Sequence, residues 1–180
     1  MSTNSAKPVL LRDLMGTTKT WKIEFKFQMG SPERDGYVQV LVDGRELDLE
    51  VGWDLLAIVA SGRAPGGYYL GNCCCGAPGC ANIWYPVMVR HQGDTITWCV
   101  PTPYSRNRSD KSPQATIELS FDLAQYRAQS DGLLADFKCA ATDGARLMRL
   151  DCYPGNLPRS LIEEAERGWA GYGGKVDLQN

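Results

Sequence analysis

The chain has 180 residues, of which 43% are hydrophobic and 22% are charged, close to the composition of an ordinary globular domain. This composition excludes a disordered chain, a collagen-like repeat and a coiled coil. The formal net charge is -2, so the basic excess typical of a general nucleic-acid binder is missing. No apolar run approaches the roughly 18 residues of a membrane span, and no signal peptide is visible at the start. We therefore expect a cytoplasmic location.

The N-terminal third predicts a small antiparallel meander that follows a loosely attached arm over residues 1–18. Residues 20–29 alternate strictly between apolar and polar side chains, which is the period of a half-buried strand. A second strand is expected over residues 37–42, and Asp43-Gly44 is a strong hairpin turn. The alternation then continues through Leu47 and Leu49.

A short helix and a second hairpin are expected in the middle of the chain. The helix covers residues 53–60, with Gly62 as its stop signal. The hairpin joins residues 82–90 to residues 95–100 through Gln92-Gly93-Asp94. Trp84 and Trp98 are expected to pack in the core from these paired strands.

The last third predicts one more strand over residues 115–121, followed by a helix over residues 123–129 with Asp122 as its N-cap. A final hairpin is expected around Asp143-Gly144, and Pro158 suits the first turn of a last helix. We expect the tail from residue 171 to be irregular. The predicted fold class is therefore α+β, with β-rich antiparallel sheets built from hairpins and two or three peripheral helices in a single domain over residues 19–180.

The segment with the most side chains that could bind a metal or react is Asn72 to Ala81, which reads NCCCGAPGCA. Cys73, Cys75 and Cys80 form a C-x-C-x4-C pattern, and the glycines and the proline allow a tight turn in which three sulfurs converge. Soft thiolates in such a turn suit Zn²⁺, which takes four ligands in a structural site. Two other interpretations stay open, a turn with reduced thiols and a redox or disulfide role.

The fourth zinc ligand must come from outside the turn. His91, the single histidine, is expected at the turn end of its hairpin, far from Cys80. Cys99 lies on the returning strand and comes closer, so Cys99 is the preferred ligand.

Two surfaces are candidates for partner binding. Glu46, Asp48 and Glu50 alternate with apolar residues, so they lie on one strand face that is suited to a basic cleft. Residues 101–113 form a polar loop made locally basic by Arg106 and Arg108. Tyr68, Tyr69 and Tyr104 are expected beside that loop, and tyrosine and arginine are favoured residues of interfaces.

The order of several short segments in the middle of the chain resembles a family of small uncharacterised bacterial proteins. These segments are Leu55-Leu56, a C-x-C-G-x-x-G-C run from Cys73 to Cys80, the G-D-T-I-T-W run from Gly93 to Trp98, and the F-D-x-A-Q-Y run from Phe121 to Tyr126. The resemblance covers roughly residues 50–130. It implies no biochemical role, and Cys99 is not part of the family's pattern.

No Gly-x-Ser-x-Gly, phosphate-binding loop or His-Glu-x-x-His motif occurs. The sequence therefore favours a non-enzymatic, cytoplasmic protein-binding module of the immunity or antitoxin type, which neutralises a partner toxin by covering it. The alternatives are a structural zinc module and a thiol-dependent redox enzyme. We expect a protein partner, with neither a nucleic acid nor a membrane as the target.

Overall fold

The computed structural model describes residues 8–29, 36–49, 51–73, 76–102, 104, 115–140, 147–150, 152–153, 155, 157–170 and 175–178. The fold is α+β, as predicted. The strands are β1 Val9–Leu10, β2 Thr20–Trp21, β3 Ile23–Met29, β4 Gly36–Val42, β5 Arg45–Asp48, β6 Gly52–Trp53, β7 Gly66–Tyr68, β8 Gly71–Asn72, β9 Val87–Gln92, β10 Thr95–Thr102, β11 Ala115–Asp122, β12 Leu147–Leu150 and β13 Lys175–Leu178. The helices are α1 Leu55–Arg63, α2 Leu123–Ala140 and α3 Arg159–Ala170, with a short 3-10 helix over Leu11–Leu14.

Two larger sheets carry most of the described strands. One has four strands in the order β1-β5-β4-β3, and the other has five in the order β2-β11-β10-β9-β7. Two further pairs, β6 with β8 and β12 with β13, stand apart from them. No helix among the described residues combines the length and apolar character that crossing a membrane requires.

The alternation read from the sequence sets the register of the four-stranded sheet. Ile23 and Phe25 of β3 are buried, as are Val38 and Val40 of β4, because successive side chains point to opposite faces of a strand. The predicted turn at Asp43-Gly44 is confirmed. β5 follows it and places Leu47 in the core with only 1% of its surface exposed.

The second hairpin is confirmed, with the β9 and β10 ladder closing at the pair Gln92 and Thr95. Its first strand begins at Val87, so Trp84 lies before the ladder. The expectation that Trp84 is a core residue is wrong, since its side chain is exposed. Trp98 is buried, as expected, and pairs with Val89 on one side and Leu119 on the other.

Helix α1 is apolar on every side and buried along most of its length, which is typical of a helix inside a core. Asp54 caps its N-terminus by accepting a hydrogen bond from the backbone N–H of Ala57. The helix continues through Gly62, which the sequence marked as a stop. A Cβ at Gly62 would lie 3.0 Å from the Ser130 hydroxyl and 3.1 Å from the Tyr126 ring, so this glycine allows α1 and α2 to approach closely.

Helix α2 joins the two larger sheets. The ring of Tyr126 in α2 makes edge contacts with two other rings. The distance between ring centroids is 5.1 Å to Phe25 of β3 and 5.8 Å to Trp98 of β10. Phe137 makes a similar contact with Phe27 at 5.6 Å. The predicted N-cap is confirmed, because Asp122 accepts a hydrogen bond from the Gln125 N–H. The helix is longer than predicted because its buried stripe continues through Leu133 to Phe137.

The described part of the N-terminal segment is packed, unlike the loose arm that was expected over residues 1–18. Val9 and Leu14 are buried, and β1 pairs in parallel with β5. The apolar side chains at these two positions supply the burial that holds the segment on the sheet.

The predicted C-terminal hairpin, which was to join residues 138–142 to residues 145–153, is wrong. Residues 138–140 belong to α2, and β12 pairs with β13 in parallel. The predicted turn at Asp143-Gly144 lies outside the described residues. Helix α3 lies between these strands along the chain, and a parallel pair requires such a crossover. The expectation of an irregular tail is also wrong over β13, whereas the predicted last helix is confirmed as α3.

Phe137→Ala tests the extension of α2. Phe137 is fully buried, so its truncation should lower the free energy of unfolding by about 3–5 kcal/mol in urea denaturation. The neighbouring Asp136 is exposed, and Asp136→Ala should change that free energy by less than about 0.5 kcal/mol. Equal effects of the two substitutions would contradict the packing of this half of α2.

Candidate functional site

A pocket of about 340 Å³ lies in the fork between β4 and β5. Within the described residues, these strands pair only beside their turn, at Leu41 with Glu46 and Val42 with Arg45. On its other edge, β5 pairs with β1 through Leu47 and Val9. Gly36, Tyr37 and Val38 of β4 and Glu46, Leu47 and Asp48 of β5 line the cavity, so it lies mainly beyond the paired part of these two strands.

The fork is closed on its far side by the small sheet of β6 and β8. The pocket is lined by apolar residues, two aromatic residues and two carboxylate residues, and its lining consists of Gly36, Tyr37, Val38, Glu46, Leu47, Asp48, Leu49, Val51, Gly52, Trp53, Asn72 and Cys73. None of these lining residues is basic. We call this cavity the acidic pocket.

The acidic pocket brings together two features that the sequence analysis treated separately. Glu46 and Asp48 belong to the predicted acidic strand face, and Cys73 begins the cysteine segment. Glu46 is exposed and accepts a hydrogen bond from the Gln39 amide at 3.0 Å. Tyr37 is 55% exposed at the rim. Carboxylates beside aromatic rings favour the binding of a cation.

A buried carboxylate holds the wall of the acidic pocket. Asp54 is fully buried, and besides the Ala57 N–H it accepts hydrogen bonds from the Asn72 side-chain amide at 3.2 Å and from the Tyr153 N–H at 2.5 Å. Asn72, a lining residue, is itself 1% exposed. Asp54 thus ties the start of α1 to β8 and to the chain near Tyr153.

The Cys152 thiol completes this buried cluster. It hydrogen-bonds to Asp54 and lies against the backbone N–H groups of Leu55 and Leu56. Burial, followed by the charge of Asp54, raises the pKa of Cys152 well above its usual value. Burial also raises the pKa of Asp54 to about 6, although its hydrogen bonds oppose the shift. Because the Cys152 thiol is protonated and covered, we assign it a structural role.

Sequence reasoning missed the cluster of Asp54, Asn72 and Cys152. Asp54 carried one usable signal, since an aspartate directly before an apolar helix is a typical N-cap. Nothing in the sequence linked it to positions 72 and 152, because these contacts join residues that are distant along the chain.

The cysteine segment turns tightly, as predicted. The Gly76 N–H bonds to the Cys73 carbonyl at 2.9 Å, and the Cys80 N–H bonds to the Ala77 carbonyl at 3.1 Å. Cys73 is disulfide-bonded, whereas Cys80 is exposed and keeps a free thiol. A disulfide sulfur is not a thiolate, so in this state Cys73 cannot serve as the predicted zinc ligand.

The predicted fourth ligand, Cys99, lies on the face of β10 opposite to Trp98 and pairs with Met88 and Glu118. Its thiol is 3.7 Å from the Glu118 carboxylate, and burial raises its pKa. In the described ranges, no group of three or more His, Cys, Asp or Glu side chains is arranged to hold a metal ion. Cys75 lies outside the described residues.

Two of the predicted partner-binding tyrosines are core residues, which corrects that prediction. Tyr68 is 6% exposed and donates a hydrogen bond to the Ala64 carbonyl, and Tyr104 is 5% exposed and accepts one from the Gly71 N–H. Tyr68 ends β7, and Tyr104 lies after the end of β10, so neither ring is exposed to a partner. Tyr69 is half-buried, with its ring 5.5 Å from that of Tyr153.

The other predicted contact residues, Glu50, Arg106 and Arg108, lie outside the described residues. The single histidine, His91, donates a hydrogen bond from Nε2 to the Ser61 carbonyl at 2.8 Å. This bond holds β9 against the end of α1. The described positions of the predicted site residues therefore converge only at Glu46, Asp48 and Cys73.

No protein-family model, curated protein or solved structure matches the chain.

Asp54→Asn tests the buried carboxylate through the pH dependence of stability. The pKa of Asp54 rises from 3.8 to about 6 on folding, so the folded state binds the proton more tightly. Its contribution to stability is present below about pH 4 and is lost as the pH rises through about 6. This pKa shift should lower the contribution of Asp54 to the free energy of unfolding by about 3 kcal/mol between pH 4 and pH 7.

The measurement is urea unfolding of wild type and Asp54→Asn from about pH 4 to pH 7. Cys152 and Tyr104 face this carboxylate, and both keep their protons over this range because burial raises their pKa values. Glu24, Asp43 and Glu164 have lowered pKa values and give the opposite slope in both proteins. The stability advantage of wild type should therefore shrink with rising pH, and a constant difference would contradict the assignment.

Proposed function

We propose that the chain is a non-enzymatic, cytoplasmic protein-binding module of the immunity or antitoxin type, which neutralises a partner toxin by covering it. The acidic pocket is the contact site in this proposal, and a basic side chain of the partner enters it. The observation that carries the proposal is the open fork between β4 and β5, where Glu46 and Asp48 stand beside Trp53 and Tyr37.

The shape and chemistry of the pocket suit a lysine or arginine side chain. The apolar lining residues, which include Leu47 and Val51, match the hydrocarbon stem of such a side chain. The two carboxylates and the aromatic rings match its cationic end. A volume of about 340 Å³ admits one side chain and lies at the small end of the range for separate ligands.

The surroundings of the pocket support recognition by a preorganised surface. The β6 and β8 wall is tied to the core through Asn72 and Asp54, and the β5 wall is tied to β1. A site that is already ordered loses little conformational entropy on binding, which favours tight association. Charged groups at such a site also speed the encounter with a partner of opposite charge.

Neutralising the two carboxylates tests this proposal. In the double variant Glu46→Gln/Asp48→Asn, recovery of the bound partner from the native host should fall roughly tenfold or more, because a basic group would lose its counter-charges. The matched control is Asp136→Asn/Glu166→Gln, which removes the same charge from exposed positions of α2 and α3. Quantitative mass spectrometry of affinity-purified samples measures the loss.

The toxin part of the proposal needs a second readout. The recovered partner, expressed alone, should arrest growth, and co-expression of the wild-type chain should restore it while the pocket variant should not. Equal protection by wild type and the pocket variant would contradict the role of the acidic pocket. A partner that leaves growth unchanged would contradict the immunity or antitoxin class.

A further inference from the structure

The groups that hydrogen-bond to the Asp54 carboxylate in the described part of the chain are all donors. Oδ1 accepts from the Ala57 N–H, and Oδ2 accepts from the Asn72 side-chain amide and from the Tyr153 N–H. The Cys152 thiol donates to the same carboxylate. An ionised carboxylate only accepts hydrogen bonds, so this set of donors fits its charged form.

A proton on Asp54 changes what the carboxyl needs from its neighbours. The protonated group carries an O–H donor, and because Asp54 is fully buried, that donor needs an acceptor within the protein. The backbone N–H groups of Ala57 and Tyr153 offer no acceptor, and the sulfur of Cys152 is only a weak one. The Asn72 amide carries a strong carbonyl acceptor beside its N–H donors, so it is the neighbour that can accommodate the proton.

Asn72 is also the member of this cluster that lines the acidic pocket. While its Nδ2 bonds to Asp54, its Oδ1 lies on the side of Gly52, 3.4 Å from the position that a Cβ on this glycine would take. Gly52 is another lining residue. Only 1% of Asn72 is exposed, so its amide acts on the pocket through its dipole rather than through a direct bond to a ligand.

We propose that Asp54 and Asn72 form a proton-operated switch that sets the electrostatic character of the acidic-pocket wall. In the ionised state, the Asn72 amide donates to Asp54 and keeps its oxygen on the side of Gly52. In the protonated state, a proton taken from solvent is bound to Asp54 and is donated to the Asn72 oxygen. The amide therefore turns and places its NH₂ group beside Gly52.

The two states should differ in their affinity for a cation. The ionised state keeps a buried negative charge directly after the lining residue Trp53, and it directs the amide oxygen toward the pocket lining. Both features attract a cation, and a low local dielectric strengthens them. This effect on binding rests on the proposed function, in which a basic side chain enters the pocket, whereas the switch itself needs no ligand. By linkage, a bound cation must in turn favour the ionised form of Asp54.

The surroundings of Asp54 bring this switch into the range between pH 5 and pH 7. Burial raises the pKa of Asp54 to about 6. Cys152 and Tyr104 stay protonated in this range, because burial raises their pKa values as well. The titratable side chains around the cluster and in the pocket are Cys152, Tyr69, Tyr104, Tyr153, Glu46 and Asp48.

An NMR titration of the wild-type chain tests the switch without any ligand. The signals of the Asp54 carboxyl carbon and of the Asn72 side-chain amide nitrogen are followed from about pH 4.5 to about pH 7.5. Both signals should shift with one common midpoint at about pH 6, because one proton controls both groups. An Asn72 signal that stays constant while Asp54 titrates, or an Asp54 carboxyl that does not titrate in this range, would overturn the proposal.

Two variants sharpen the assignment. Asp54→Asn removes the titrating proton, so the Asn72 signal should stay constant over the whole range. Asp136→Asn is the matched control, because it removes a carboxylate from an exposed position of α2, and its Asn72 signal should follow wild type. The wild-type titration decides the question by itself if Asp54→Asn does not fold.

A short arginine-containing peptide separates the switch from the proposed function. Calorimetric titration of wild type should show binding roughly fivefold or more weaker at about pH 5 than at about pH 7. Asp54→Asn should show a smaller change, and any titration of Glu46 and Asp48 contributes to both proteins. Coupled NMR shifts without peptide binding at either pH would support the switch and contradict the proposed use of the pocket. Peptide binding with the same pH dependence in both proteins, together with a constant Asn72 signal, would support the pocket and overturn the switch.

Discussion

The buried carboxylate of Asp54 is the constraint on which the described structure around the pocket depends. It caps α1 through Ala57, holds β8 through Asn72 and fixes the chain near Tyr153. An unpaired carboxylate in this position would be costly, so the three donors and the neighbouring thiol must stay in place together. Asn72 is a lining residue of the acidic pocket, so the same carboxylate that starts a core helix also positions the candidate binding surface.

Besides the Asp54 cluster, aromatic side chains pack both of the larger sheets against one helix, α2. Tyr126 of α2 lies against Phe25 from one sheet and Trp98 from the other, and its hydroxyl is 2.7 Å from that of Ser61 in α1. The acidic pocket lies beyond the paired part of β4 and β5, in the fork between these two strands. A rigid interior therefore supports an open, charged edge, which is the arrangement expected of a recognition surface on a stable scaffold.

The sequence was informative where the signal was local. Alternation and the Asp43-Gly44 turn predicted the β3 and β4 hairpin, and Asp122 predicted the start of α2. The second half of α2 was missed because Gly132 and several polar residues hide the apolar stripe that Phe137 completes. The acidic strand face was predicted, but its pocket was not, since the fork depends on β1 and β8. The burial of Tyr104 also depends on distant partners, such as Gly71, that no local pattern reveals.

The most direct measurement for the central claim is native mass spectrometry of the chain gently purified from its own host. We expect a complex of defined mass that contains one additional protein, and this protein should carry a basic surface that the acidic pocket can engage. A chain that is recovered without any protein partner, at the mass of the polypeptide itself or with one zinc ion added, would contradict the claim that it works by covering another protein.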